Sequence, residues 1–171
     1  MSSKYERELR DILMGNEDTL KRVTRTMDER SAKAYMTCID KPFLIMRGAG
    51  SLGIDLFAYR NKLSFGIEEK SCGGDKLYFS SDDRLNEQHN VFEDYAERMG
   101  LAYVYAYRQK GFRGEKWSVY RTEKSRIVDV LSDKNDLPLI PQTVHGTRYL
   151  SYNDGLPLSK YIEILRGVLD E

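Results

Sequence analysis

The stretch "DLFAYRNKLSFGIEEKS", Asp55 to Ser71, constrains the fold more tightly than any other. Two apolar runs flank Arg60-Asn61-Lys62, the pattern of a β-hairpin. Side chains on a strand alternate between its two faces. Leu63, Phe65 and Ile67 therefore share one face, which must be the buried one. Ser64, Gly66, Glu68 and Lys70 share the other, over small residues that leave room for something to approach, while Glu69 falls on the apolar side. A hairpin of this length brings Asp55 near Glu68. Two clustered carboxylates repel, and one pKa rises unless a cation neutralises them. Oxygen-only ligands suit a hard ion such as Mg²⁺ or Mn²⁺, and a lysine beside such an ion can position a water or stabilise charge on a phosphate. Taken alone, an E-x-K triplet at a strand end is most often a solvated ion pair.

Around the hairpin the pattern alternates between helix and strand. "SSKYERELRDILM" has apolar Leu9, Ile12 and Leu13 at helical spacing after a serine start. A second helix is expected after the Gly15-Asn16 break, running through "NEDTLKRVTRTMDERSAKAYMTCI". "KPFLIMRGAG" reads as a short strand, "SSDDRLNEQHNVFEDYAERMG" as a helix ended by Gly100, and "LAYVYAYR" and "WSVYRT" as strands around the turn "QKGFRGEK". The segment between Leu131 and Asp154 carries no assignable pattern. "PLSKYIEILRGVLD" is a closing helix, for which the Asp154–Gly155 turn is a better start than a Ser159 cap. The order predicts an α/β protein with a mixed central β-sheet flanked by helices.

At 171 residues the chain suits one domain. Lys and Arg balance Asp and Glu at 27 each, so composition itself points to no nucleic-acid partner. The two cysteines, Cys38 and Cys72, lack zinc-ligand spacing and are expected to be reduced thiols. With two histidines, neither given a role, any metal would sit on carboxylates. No apolar run approaches the length of a membrane span, and no signal-peptide core opens the chain. A cytoplasmic protein without membrane contact is expected.

Three segments together resemble the archaeal Holliday junction resolvases of the PD-(D/E)xK nuclease superfamily. "YERELRDIL" is similar to that family's opening helix, with its catalytic glutamate followed by arginine. "RGAGSLGIDLFAY" resembles its arginine, small-residue loop and metal-binding aspartate, and "FGIEEKS" its E-x-K strand. Downstream elements follow the same order. The resemblance implies a restriction-endonuclease-like core in a single nuclease domain over residues 1–171. Two segments, about 16–41 and 132–154, are extra relative to compact members of the family.

Carried onto this chain, the resemblance implies catalytic roles for Glu6, Ser51, Asp55, Glu68 and Lys70. The alignment of "ERE" favours Glu6 over Glu8. Glu6, Asp55 and Glu68 would hold one or two Mg²⁺ ions, for which Mn²⁺ substitutes. The implied activity is Mg-dependent resolution of four-way junction DNA by paired symmetric nicks, in DNA recombination and repair, performed by a homodimer. Arg7 and Arg47 are implied near the DNA. The basic stretch after Tyr107, with Arg108, Lys110, Arg113 and Lys116, would hold the phosphate backbone in a sequence-independent way. Val91, Phe92, Tyr95 and Met99 correspond to the family's dimer helix, or are equally well a core stripe. Lys21, Arg22, Arg25, Arg30 and Lys33 read better as a solvated helical face than as a second DNA patch, and Trp117 better as packing than as a base-stacking platform. The alternatives are a flap-type or restriction-type endonuclease with the same core, disfavoured by the match beyond the E-x-K strand, and a silent junction-binding scaffold, disfavoured by the intact set of four polar residues.

Overall fold

The computed structural model describes residues 3–48, 53–111, 113–131 and 136–170. The expected hairpin is formed by β2 (Leu56–Arg60) and β3 (Leu63–Cys72), antiparallel, with Ala58 opposite Phe65. Asn61 makes the turn at φ 56°, a left-handed conformation that asparagine adopts more readily than most residues. β1 (Leu44–Arg47) pairs antiparallel with β2, and β5 (Tyr103–Gln109) runs parallel to β3. β6 (Trp117–Tyr120) and the short β8 (Leu156–Pro157) complete a six-stranded mixed sheet in the order β1-β2-β3-β5-β6-β8. A parallel pair needs a crossover, and α4 (Asp83–Met99) supplies it between β3 and β5.

The alternation along β5 divides the core in two. Val104 and Ala106 face one side of the sheet, where Leu63, Phe65 and Ile67 meet α1 (Lys4–Leu13), α2 (Glu17–Thr24), α3 (Glu29–Asp40) and α6 (Leu158–Leu169). Tyr103, Tyr105 and Tyr107 face the other, against Phe79, Phe92 and Ala96. A strand buried on both faces is apolar or aromatic throughout, as β5 is until Arg108. The α/β class with a mixed sheet flanked by helices is as the sequence pattern predicts.

Two local expectations are corrected. The long helix expected from residue 16 to 39 is two helices, because Asp28 caps a new start by accepting from Ser31 N. Leu20, Tyr35 and Cys38 from these helices join the same core as α1 and β3. The segment after Leu131 is not without structure where it is described. β7 (Tyr149–Ser151) pairs antiparallel with β4 (Lys76–Tyr78), and α5 (Ile127–Val130) precedes it as a short helix. At α6 the Ser159 hydroxyl does not cap its own helix. Buried Glu115 does so instead, accepting from Ser159 N at 2.6 Å and from Ser159 Oγ at 2.7 Å, a carboxylate against the positive helix end.

Both cysteines are free; burial pushes the Cys38 thiol up to about 12. No described helix is long and apolar enough to cross a membrane.

His89, on α4, is 4% exposed and its Nδ1 lies 3.1 Å from Tyr105 Oη. Burial, then the Arg148 charge, pulls its pKa down to about 4, against Glu93. The unfolded chain, with histidine near 6.5, then binds the proton that the folded chain refuses. Stability is therefore expected to fall by up to ~3 kcal/mol as pH drops from about 6.5 toward 4. Urea unfolding midpoints across this range should fall more steeply for the wild type than for His89→Gln; parallel curves would contradict a neutral buried His89.

Candidate active site

The chain delivers its polar residues to the middle of β3 through backbone constraints. Gly48 N donates to the Asp55 carbonyl at 2.8 Å, and a Cβ on Gly48 would lie 1.7 Å from the Ile54 carbonyl oxygen. Only glycine permits that approach, so Gly48 holds the β2 entry in place. Asp55 then turns its carboxylate onto β3, where Oδ2 accepts from Glu69 N at 2.8 Å. Glu68 and Lys70 share the face on which α4 packs, with Lys70 Nζ 2.6 Å from Glu68 Oε1.

This face is less open than the small residues predict. Ile54 covers Gly66, so a Cβ there would lie 3.2 Å from its side chain. Glu68 is 1% exposed. Burial pushes its carboxyl up to about 8, against the pull of Lys70 and with the added push of the Asp55 charge. Burial also raises Asp55, opposed by the Glu69 N–H and by Lys70, while Glu6 raises it further. The expected coupling of two carboxylates is thus present. Glu68 Oε2 is buried without a hydrogen-bond partner among the described residues, a costly arrangement.

Glu69 lies on the opposite face, as alternation predicts, and accepts from Ser3 Oγ at 3.0 Å. The same hydroxyl accepts from Glu6 N at the start of α1. β3 is thereby tied to the helix that bears Glu6. Glu6 accepts from Arg47 Nε at 3.1 Å. Among the described residues no three His, Cys, Asp or Glu side chains converge as a metal cluster, so Glu6 does not complete a triad with Asp55 and Glu68. The donor set nevertheless fits a hard divalent ion. It is all carboxylate oxygen, one atom of it is orphaned, and Mg²⁺ commonly takes one or two carboxylates with water and phosphate oxygens filling the rest.

Glu8, the other glutamate of "ERE", has a different environment. It accepts from Arg108 Nε at 2.6 Å, Trp117 Nε1 at 3.0 Å and Arg22 Nη1 at 3.1 Å. Burial would raise its carboxyl, but these donors together hold it below the usual value. Arg108 is accordingly buried on Glu8, its guanidinium 4.1 Å from the Tyr5 ring centroid, and is not free for a phosphate. Trp117, 1% exposed, is packing. Lys110 and Arg113 are exposed, as are Arg7 and Arg47, and Lys116 is partly so. Ser51 lies outside the described residues.

Gln88 carries no sequence signal, yet its Oε1 accepts from Lys70 Nζ at 2.9 Å. Its Nε2 reaches the Gly53 carbonyl at 3.4 Å, linking α4 to both sides of the site. Under the function proposed below, Gln88→Ala is expected to lower activity by about 10–100-fold, the usual cost of losing a group that orients a site residue. An unchanged turnover rate would remove Gln88 from the site.

The helix stripe divides. Phe92 is in the core, edge-on to Tyr103 with centroids 5.6 Å apart, and is unavailable to a partner. Val91 and Met99 are exposed and Tyr95 half-buried.

No protein-family model and no curated protein matches the chain. Among solved structures it is similar to Hjc, a Holliday junction resolvase from the archaeal hyperthermophile Archaeoglobus fulgidus. The identity is 18% and the TM-score 0.49, over 97% of this chain and 99% of that one. At that distance the likeness assigns no function.

Proposed function

We propose that this chain is a divalent-metal-dependent endodeoxyribonuclease that resolves four-way DNA junctions. The observation that carries the reading is buried Glu68 in the middle of β3 beside half-buried Asp55, with Lys70 bonded to Glu68 and one Glu68 oxygen left unpaired. A carboxyl pushed up by burial beside a second carboxylate and a lysine supports a working site here.

Asp55 and Glu68 would hold Mg²⁺, or Mn²⁺ in its place. When bound, the ion supplies charge against a scissile phosphodiester and lowers the pKa of water. Lys70, held between Glu68 and Gln88, places a fixed positive charge beside the carboxylates, where negative charge develops during attack on phosphorus. Glu6 adds its charge from α1, oriented by Arg47 and by the Ser3–Glu69 link. Exposed Lys110 and Arg113, with Lys116, would hold the backbone of DNA without reading its sequence.

The substrate has two-fold symmetry, and a homodimer would match it. Val91, Tyr95 and Met99 would meet the partner, beside Leu44, Met46 and Tyr59, which are about half exposed on the same side of the sheet.

Labelled four-way DNA should be cut in Mg²⁺. Cutting should stop on chelation, return with Mn²⁺ and be lost in Glu68→Gln. Cleavage that persists in Glu68→Gln, or in chelator, would sink the assignment.

A further inference from the structure

Arg22 of α2 and Arg25, at its C-cap, face the turn between β5 and β6. A cavity of about 270 Å³ lies between them, lined by Glu8, Arg22, Arg25, Arg108 and Lys116 with Val23, Thr26 and Met27. Thr26 Oγ1 accepts from Gly114 N at 3.1 Å, which ties the α2–α3 link to the β5–β6 turn. The cavity is therefore built from both elements rather than lying on either alone.

Its charge is unbalanced. Elsewhere some cations are matched singly to an acid, as Lys21 with Glu17, Arg30 with Glu163 and Lys124 with Glu97. Here four cations gather around one carboxylate. Arg22 and Arg108 are bound to Glu8, whereas Arg25 and Lys116 make no ion pair among the described residues. Lys116 is pushed below the ordinary lysine value, by burial first and then by Arg108, against Glu8. Like charges held this close repel unless an anion joins them.

We propose that this cavity is a phosphate subsite that takes a phosphodiester of the DNA backbone through Arg25 and Lys116. The proposal rests on the nuclease reading and adds to it a contact from α2. Its position favours nucleic acid. Arg108 stands opposite Ser71 in the parallel pairing, one residue beyond Lys70 opposite Tyr107. The cavity and the carboxylate site thus lie on opposite faces but at the same end of the sheet. Lys4 and Lys110 lie over the same Tyr5 ring as Arg108 and extend the positive surface beside the cavity.

The test compares Arg25→Ala with Lys116→Ala, combined in one protein, against the wild type in binding four-way DNA across a salt series. Two lost phosphate contacts should reduce the log–log salt slope by about 1.8. The charge-conserving pair Arg25→Lys with Lys116→Arg should keep it. Arg25 is exposed, so folding should survive, and a melting curve checks this. A wild-type slope in the alanine protein overturns the subsite and the Lys116 backbone contact, and leaves the nuclease reading at Asp55 and Glu68 intact. A wild-type protein that binds no DNA overturns both. Saturable stabilisation by inorganic phosphate, lost in the alanine protein without a change in DNA slope, overturns the backbone assignment in favour of a free anion.

Discussion

Glu8→Ala is expected to cost about 3–5 kcal/mol of folding stability and to lower the melting temperature by on the order of 10 °C. The substitution leaves the Arg108 guanidinium buried without its carboxylate and the Trp117 indole N–H without its acceptor. An uncompensated buried charge is worse than the pair is good, which is why removal of one partner is felt so strongly. Glu8→Gln should fall between, since the amide oxygen still accepts a hydrogen bond but the charge is gone. Denaturant unfolding of the three proteins measures this directly. A loss below about 1 kcal/mol for Glu8→Ala would mean that Arg108 finds water or another partner. In the proposed function it is Glu6, the other glutamate of "ERE", that adds its charge to the site, so a stability role for Glu8 is compatible with that reading.

The second large effect is on chemistry. Asp55→Asn is expected to reduce junction cleavage on the order of 100-fold or more, the scale of losing a group that acts directly on transition-state charge. Binding to the junction should be intact or stronger, because one carboxylate fewer faces the phosphates. The substituted amide would retain an oxygen to accept from Glu69 N, so the β2 entry should persist. Cleavage at the wild-type rate would place the metal site elsewhere.

The parts of the fold that rest on local periodicity were legible in the sequence. Alternation predicted the β2–β3 hairpin, its buried face and the opposite facing of Glu69. Helical spacing and Gly100 marked α4 and its end; Gly100 stops it in a left-handed conformation at φ 71°. The break between α2 and α3 was hidden because "RTMDERS" is charged enough to continue a solvated helix, and the Asp28-to-Ser31 cap is the signal that marks it. β7 was unreadable for another reason. Its partner β4 lies some seventy residues upstream, and three residues have no periodicity of their own.

The site divides in the same way. Asp55 stands at the entry to β2, and Glu68 and Lys70 lie on β3 across one turn, so alternation and hairpin length bring them together. Gln88 reaches them from a helix whose docking depends on the whole sheet, and nothing local marks it. Arg108 stood in a basic run that reads as DNA-binding, but composition does not reveal burial, and a carboxylate a hundred residues earlier holds it. Phe92 shows the same ambiguity on a helix stripe, where turning by one residue exchanges surface for core.

The most direct test is cleavage of a labelled mobile four-way junction in Mg²⁺, beside linear duplex and flap DNA, with product lengths mapped on all strands. The proposed function predicts paired, symmetric nicks on opposed strands of the junction and no cutting of the other two substrates. Cutting of duplex or flap at a comparable rate would contradict junction resolution while leaving a nuclease, and tight junction binding without cleavage would contradict the enzyme itself.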